Sequence, residues 1–336
     1  MMAASLQVPG WLEPYTRLLR GQQPGAQLAI ITRQLGLPLL GIAIFLFIWQ
    51  VGAGHVQTTL GQLPGPAQVW TQAQGLHDEY LADQEKEVNF YKRQEERNAR
   101  QLAANPEAKP MPIRPYSSSP TFYAQILTSL KTVMSGFVVA AIVAIPLGIA
   151  IGLSGPLYNA VNPLIQIFKP VSPLAWLPLV TLVVASVYEN PTQAIPKSFI
   201  TSLITVALCC IWPTIINTAV GVASVSSDLN NVSKVLRLSW LSHVRRIVLP
   251  AAVPMIFTGL RLSLGVAWMV LIAAEMLSQN PGLGKFIWDE FQNGNSQSLS
   301  RIMVAVLTIG AIGYLLDRIM LIVQRNFSWD KKSVTR

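Results

Sequence analysis

The residues with the clearest chemical potential in this 336-residue chain are ionisable side chains set inside apolar stretches. Arg261 and Glu275 lie within residues 250–277, Asp317 and Arg318 interrupt the last third of 301–324, and Lys169 precedes the apolar run 170–188. A charge in such company is held by a partner or serves an ion pathway. Arg261 is eleven residues past Pro250, ~16 Å along a helix rising about 1.5 Å per residue. That depth is near mid-membrane, so its guanidinium must face protein; a structural or gating role and direct contact with an anion are both open. Glu275 reads as a hydrogen-bonding partner, and Asp317 and Arg318 as residues that pair across helices. Lys169 is either a cationic site for an anion or a lysine snorkelling to headgroups. Catalytic chemistry finds no foothold. His55, His77 and His243 fall in loops, Cys209 and Cys210 are adjacent in an apolar run, and neighbours in a helix pair poorly. No metal-ligand spacing, Ser–His pairing or Gly-rich phosphate loop occurs. The expectation is a chain that is not an enzyme, with no catalytic residue, no metal and no bound cofactor.

These side chains need elements to hold them, and composition says where. Hydrophobic residues make up 51% of the chain and charged residues only 12%, with a mean hydropathy of +0.42. A soluble domain carries about 25% charged residues, so the bilayer is the expected solvent and lipid a partner. A spanning helix needs about 20 apolar residues. Six segments qualify: 35–54, 132–153, 170–188, 198–223, 250–277 and 301–324. The first begins too late and runs too long for a cleaved signal peptide. The expected architecture is an all-α integral membrane protein of six transmembrane helices.

Orientation follows from Lys and Arg. With the N-terminus inside, cytoplasmic segments hold Arg17, Arg20, Arg33, Lys234, Arg237, Arg245, Arg246, Arg325, Lys331, Lys332 and Arg336, whereas short outer loops hold Lys197 and Lys285. Both termini are then cytoplasmic, and the chain divides as follows. Residues 1–34 are a cytoplasmic segment and 35–54 the first span; 55–126 form a periplasmic insert, 127–325 a core of five spans, and 326–336 a tail. The net charge of +9 does not point to nucleic acid, because the insert is nearly neutral, with seven Lys/Arg and eight Asp/Glu. The basic excess lies beside the apolar runs.

Within the insert, 76–104 is polar and helix-forming, without Pro or Gly, and a Pro-rich return runs from Pro106 to Pro120. The return is either an ordered strand of chain or a poorly ordered loop. In the membrane, Pro146 falls inside the second span, and Pro170, Pro173 and Pro178 crowd the third, which is expected to be broken or kinked. Each proline frees a carbonyl that only protein or water can satisfy. Lys169, Pro173, Trp176 and Pro178 are therefore candidates for a pathway or gate, together with Arg261 and Glu275. For Trp176, Trp212 and Trp268, packing or interfacial anchoring is the plainer reading. Gly148 and Gly152 permit close helix packing.

Residues 224–250 are more than a connector. Ser226, Ser227 or Asp228 can cap a helix, on which Leu229, Val232, Leu236 and Trp240 recur at helical spacing. His243, Arg245 and Arg246 follow, then Ile247, Leu249 and Pro250. An amphipathic cytoplasmic helix must bury its apolar face in a partner groove, the membrane surface or the protein itself.

This segment resembles the cytoplasmic Glu-Ala-Ala (EAA) loop of ABC importer permeases. The Ile-x-Leu-Pro end matches at Ile247–Pro250. Arg237 stands at the motif's Gly position, and Asn231, Val232 and Ser233 stand at the Glu-Ala-Ala positions. Leu249–Leu277, with Gly259-Leu260-Arg261 and Ala274-Glu275-Met276-Leu277, is similar to permeases of the nitrate/sulfonate/taurine/bicarbonate group. So are Lys169–Val183 and Trp212–Val222. Gly282–Gln292 and Asn231–Leu236 look most like nitrate/nitrite permeases. The likeness spans 120–325, is loose over 35–70 and is absent over 76–118.

The resemblance implies a type I ABC importer permease fold with a cytoplasmic coupling loop, in the bacterial inner membrane. It implies two ABC ATPase subunits carrying ATP and Mg, docked on Leu229, Asn231, Val232, Ser233, Leu236, Arg237, Trp240, Leu249 and Pro250. It further implies a periplasmic or lipid-anchored anion-binding protein and a second permease copy, with a pathway between the copies. Nitrate or nitrite is the leading cargo, with alkylsulfonate, taurine or bicarbonate as alternatives. An ATP-independent carrier would show inverted repeats and ionisable relays, and neither is evident.

Overall fold

Apolar helices dominate the computed structural model, which describes Arg17 and residues 24–58, 61–105, 109–188, 195–295 and 297–327. Much of the N-terminal segment 1–34 and of the tail 326–336 lies outside the described residues. The chain divides into two units, Met1–Thr71 and Gln72–Arg336.

In the first unit, α1 (Pro24–Ile31), a π-turn (Thr32–Gly36) and α2 (Leu37–His55) succeed one another. α2 has no Lys, Arg, Asp or Glu, and Leu39, Phe45, Phe47 and Ile48 are all exposed on it. A helix apolar on every side is solvated by lipid, as expected of the first span. A short hairpin follows, β1 (Gln57–Thr58) antiparallel to β2 (Gly61–Gln62), and Trp49 Nε1 donates to the Pro64 carbonyl at 3.1 Å.

The unit division falls inside α3 (Pro66–Ala104), which starts at Pro66 rather than at residue 76. A proline suits a first helical turn, where its missing N–H has no partner to lose. The described part of the return, 109–121, is not a loose loop. Gln94 donates to the Arg114 carbonyl and accepts from its N–H (3.0 and 2.8 Å), and Asn98 does the same with Met111 (2.9 and 3.2 Å). Side-chain amides thus stand in for a neighbouring strand. Tyr116 and Ser118 donate to the two oxygens of Asp83 at 2.9 and 3.2 Å.

The core is α4 (Phe122–Leu153), α7 (Lys197–Ala223) and α10 (Leu249–Ser278). Close approach of α4 to α7 depends on Gly148 and Gly152. A Cβ at either would meet Thr218 Cβ or the Ala219 carbonyl at 2.6 Å. Pro213 inside α7 raises the problem of a broken hydrogen-bond ladder. Ser263 of α10 answers it: its hydroxyl accepts from Thr214 N–H at 3.1 Å and donates to the Cys210 carbonyl at 2.5 Å. One side chain bridges two groups that a regular turn would pair directly.

The third span is broken, as its prolines suggested, but its layout differs from a single helix over 170–188. α5 (Gly155–Phe168) and α6 (Pro173–Val187) meet at a 99° bend, and Ser172 caps α6 by accepting from Leu174 N–H. α6 alone has 15 residues, ~22 Å at about 1.5 Å each, short of a bilayer core of about 30 Å. Among the described residues five helices are long and apolar enough to cross a membrane, and the bent pair, counted as one span, brings the number to six. Three further helices lie between α7 and α12 besides α10. They are α8 (Ser227–Val235), α9 (Trp240–His243) and α11 (Leu283–Asn293); α12 (Ser298–Phe327) closes the described chain.

Candidate functional site

The segment between α7 and α10 was expected to hold one amphipathic helix, and the structure divides it. α8 opens where Ser226 Oγ accepts from Leu229 N–H, with Asp228 in its first turn and Lys234 in its last, both suited to the helix dipole. It ends in a Schellman turn: Leu238 N–H reaches the Ser233 carbonyl and Arg237 N–H the Lys234 carbonyl, both at 3.1 Å. Arg237 takes a left-handed φ of 45° to close it. Ser239 then caps α9, so Trp240 belongs to a different helix from Leu229, Val232 and Leu236. Leu229, Val232, Val235, Leu236, Trp240 and Leu241 are exposed, Val235 at 81% and Trp240 at 67%. Asn231 is exposed as well, while Ser233 is buried. A π-turn (Val244–Val248) with Val244 and Val248 buried carries the chain into α10, where Leu249 is exposed and Pro250 occupies the first turn.

The second assembly lies within the membrane-spanning helices. Arg261 Nε donates to Asp317 Oδ1 at 2.6 Å and Arg261 Nη2 to Oδ2 at 2.8 Å. Both side chains remain partly exposed, 38% and 43%, and line a cleft of about 840 Å³ with Thr258, Gln324, Met255 and Met269 among its walls. Gln324 donates to Thr258 Oγ1 at 3.2 Å. Of the two residues expected to pair across helices, Asp317 does so with Arg261, whereas Arg318 lies over the Tyr314 ring of its own helix at 4.9 Å. Residues 317 and 318 are neighbours on a helix and point to different faces. Asp317 is legible in the sequence as a residue that pairs across helices, but not as the partner of Arg261. Its distance in sequence from Arg261 hides a match in depth on antiparallel helices.

Glu275, on the same helix, is completely buried. Ser129 donates to its carboxylate at 2.8–2.9 Å, Gly284 N–H donates to Oε2 at 3.0 Å, and Leu283 N–H donates to Ser129 Oγ at 2.9 Å. Asn280 ties the following turn to Thr132 at 3.1 Å. Glu275 therefore staples α10 to α4 and α11, and it does not line the Arg261 cleft. Nor do Lys169, Pro173, Trp176 and Pro178, which gather at the bent span. There Lys169 ends α5, and Phe168 lies 5.9 Å from Trp176 and stacks on Trp212 at 6.3 Å.

A further cluster escaped the sequence reading. Arg301 Nη1 donates to Glu290 Oε1 at 2.9 Å, Ser298 Oγ donates to Glu290 Oε2 at 2.9 Å, and Arg301 Nη2 meets Glu79 of α3. Burial pushes the Glu290 carboxyl above the usual carboxylate range, against the pull of Ser298's hydrogen bond.

Residues 144–329 match the model of the family described as the binding-protein-dependent transport system inner membrane component. The chain is 37% identical over 290 residues to the bicarbonate transport system permease protein CmpB of Synechococcus elongatus, covering 86% of this chain and 88% of that protein. It is 45% identical over 194 residues to the nitrate import permease protein NrtB of a Synechocystis species, covering 58% and 66%. Among solved structures, the inward-facing MetNI methionine ABC transporter aligns with a TM-score of 0.52 at 15% identity, over 66% of this chain and 100% of that one.

Proposed function

Since the chain belongs to the family of binding-protein-dependent transport system inner membrane components, we propose that it is the permease subunit of an ABC importer for a small inorganic anion. The observation that carries the cargo class is similarity to bicarbonate and nitrate permeases alike. Between the two, bicarbonate is favoured, reversing the order reached from the sequence. The likeness to the bicarbonate permease spans 86% of the chain, whereas the likeness to nitrate permeases spans 58% to 60%. The higher identity within that shorter stretch, 45%, keeps nitrate as the second reading.

The cytoplasmic segment is the docking site of the ATPase partners in this reading. Leu229, Val232, Leu236 and Trp240 are exposed, and among the described residues nothing covers them. Burying each in a partner's groove is worth about 1.5–3 kcal/mol. ATP and Mg reside on those partners, a binding protein delivers the anion from outside, and a second permease copy completes the pathway.

The Arg261–Asp317 pair suits passage rather than storage. An unopposed charge ~4 Å from an anion is worth about 4 kcal/mol at an effective dielectric of ~20, enough to hold the cargo back. Asp317 opposes it. The test is uptake by the complete transporter in proteoliposomes. ATP-dependent import of labelled bicarbonate, competed by nitrate and not by taurine or an alkylsulfonate, is expected. Import competed by taurine alone would move the cargo to the organic sulfonates.

A further inference from the structure

We propose that Arg261 is a transit site, where a planar trigonal oxyanion docks on the guanidinium edge that Asp317 leaves open. The inference rests on the anion-permease reading and gives the cargo a point of contact within the membrane. A guanidinium is planar and offers parallel N–H donors along more than one edge. Asp317 occupies the edge formed by Nε and Nη2. Among the described residues, Nη1 makes no hydrogen bond, so the edge shared by Nη1 and the second Nη2 hydrogen is free, and the side chain lines the cleft of about 840 Å³.

The shape of the occupied edge identifies what fits the open one. A carboxylate presents two oxygens on a planar trigonal centre, and bicarbonate and nitrate do the same. A fork that holds Asp317 at 2.6 and 2.8 Å on one edge can hold such an anion on the other. Chloride, being spherical, cannot engage both donors in line. Leu262, Val266 and Met269 make the rest of the wall apolar, so Arg261, Asp317, Thr258 and Gln324 supply its polar groups. Asp317 sets the strength: the anion meets a pair already neutral, held by donor geometry more than by net charge, and so leaves readily. Thr258 and Gln324 supply polar groups in the same cleft.

The test uses the permease with its ATPase subunits in nanodiscs, without the binding protein, and follows line broadening of ¹⁵N-nitrate and ¹³C-bicarbonate. The native complex should broaden both weakly, in fast exchange, with chloride failing to compete. Asp317→Asn should tighten binding at least tenfold and slow ATP-driven uptake at saturating anion. Asp317→Asn combined with Arg261→Gln, a neutral pair of similar volume, should abolish the broadening while the complex stays assembled. Broadening that survives in the double variant, or that Asp317→Asn leaves unchanged or weaker, overturns the proposal. Uptake by the native complex with its binding protein separates the two ideas. Import of neither anion sinks the cargo reading and this site with it; import without Arg261-dependent broadening sinks this site alone.

Discussion

Arg261 and Glu275 share α10, yet the chain handles their charges in different ways. Arg261 is matched by one carboxylate and left beside open space; Glu275 is sealed and held by Ser129 and the Gly284 N–H. Arg261→Lys keeps the charge but cannot reproduce the two-pronged contact with Asp317. It should reduce anion uptake, normalised to inserted protein, nearly as much as Arg261→Ala, by tenfold or more. Normal transport by Arg261→Lys beside a dead Arg261→Ala would mean that charge alone matters there. Glu275→Ala strands a hydroxyl and a backbone N–H in the interior, at ~1–3 kcal/mol for each unmet group. Thermal unfolding of the purified transporter should therefore fall clearly for Glu275→Ala and much less for Glu275→Gln, which keeps an acceptor oxygen; equal losses would argue against the staple. Both residues were legible as intramembrane charges, because apolar surroundings advertise them. Their partners were not. Ser129 looks like any small span residue, and Asp317, legible as a residue that pairs across helices, is matched to Arg261 only once the antiparallel depth of α10 and α12 is known.

At the scale of elements, the spans were readable because bilayer thickness sets their length, and the broken third span because proline cannot continue a hydrogen-bond ladder. The division of α8 from α9 was hidden. A turn that closes on a left-handed residue is usually announced by glycine, and here arginine stands in its place at φ 45°. A residue with a Cβ is strained there by about 1–2 kcal/mol. Arg237→Gly should relieve about 1 kcal/mol, slowing exchange of the Leu238 amide roughly fivefold, and Arg237→Val should hasten it. Unchanged exchange in both variants would remove the strain argument. The same division sharpens the docking proposal, since α8 and α9 present separate apolar surfaces. Val232→Asp places a charge on the α8 surface and should yield inserted permease that no longer retains its ATPase partners through purification. Retained partners with stimulated hydrolysis would mean that α8 is not the docking face.

For the whole molecule, the decisive quantity is which side each segment faces, and the distribution of basic residues argues for one answer. Arg245 and Arg246 stand beside the α9 segment, whereas the segment between α10 and α12 carries Lys285, already paired with Asp289 at 2.5 Å. The long α3 helix and its return are exempt from that count, because long outer segments cross largely regardless of charge. Their order was not legible in the sequence, since it arises from side chains such as Gln94, Asn98 and Asp83 meeting a distant extended segment. We propose that this insert lies on the side opposite α8 and α9: with the bent pair counted as one span, three crossings, by α4, the bent pair and α7, separate residues 66–121 from 224–248. Single cysteines test this directly. In a background without Cys209 and Cys210, Arg100→Cys should react with an impermeant thiol reagent on intact cells, and Ser242→Cys only after permeabilisation. Residue 100 is exposed on α3 and its ion pair with Glu96, at 3.8 Å, is a surface contact of little worth, so the substitution leaves the fold in place. Labelling at 242 and not at 100 would invert the molecule in the membrane. The α8–α9 surfaces would then face the wrong compartment for any ATPase.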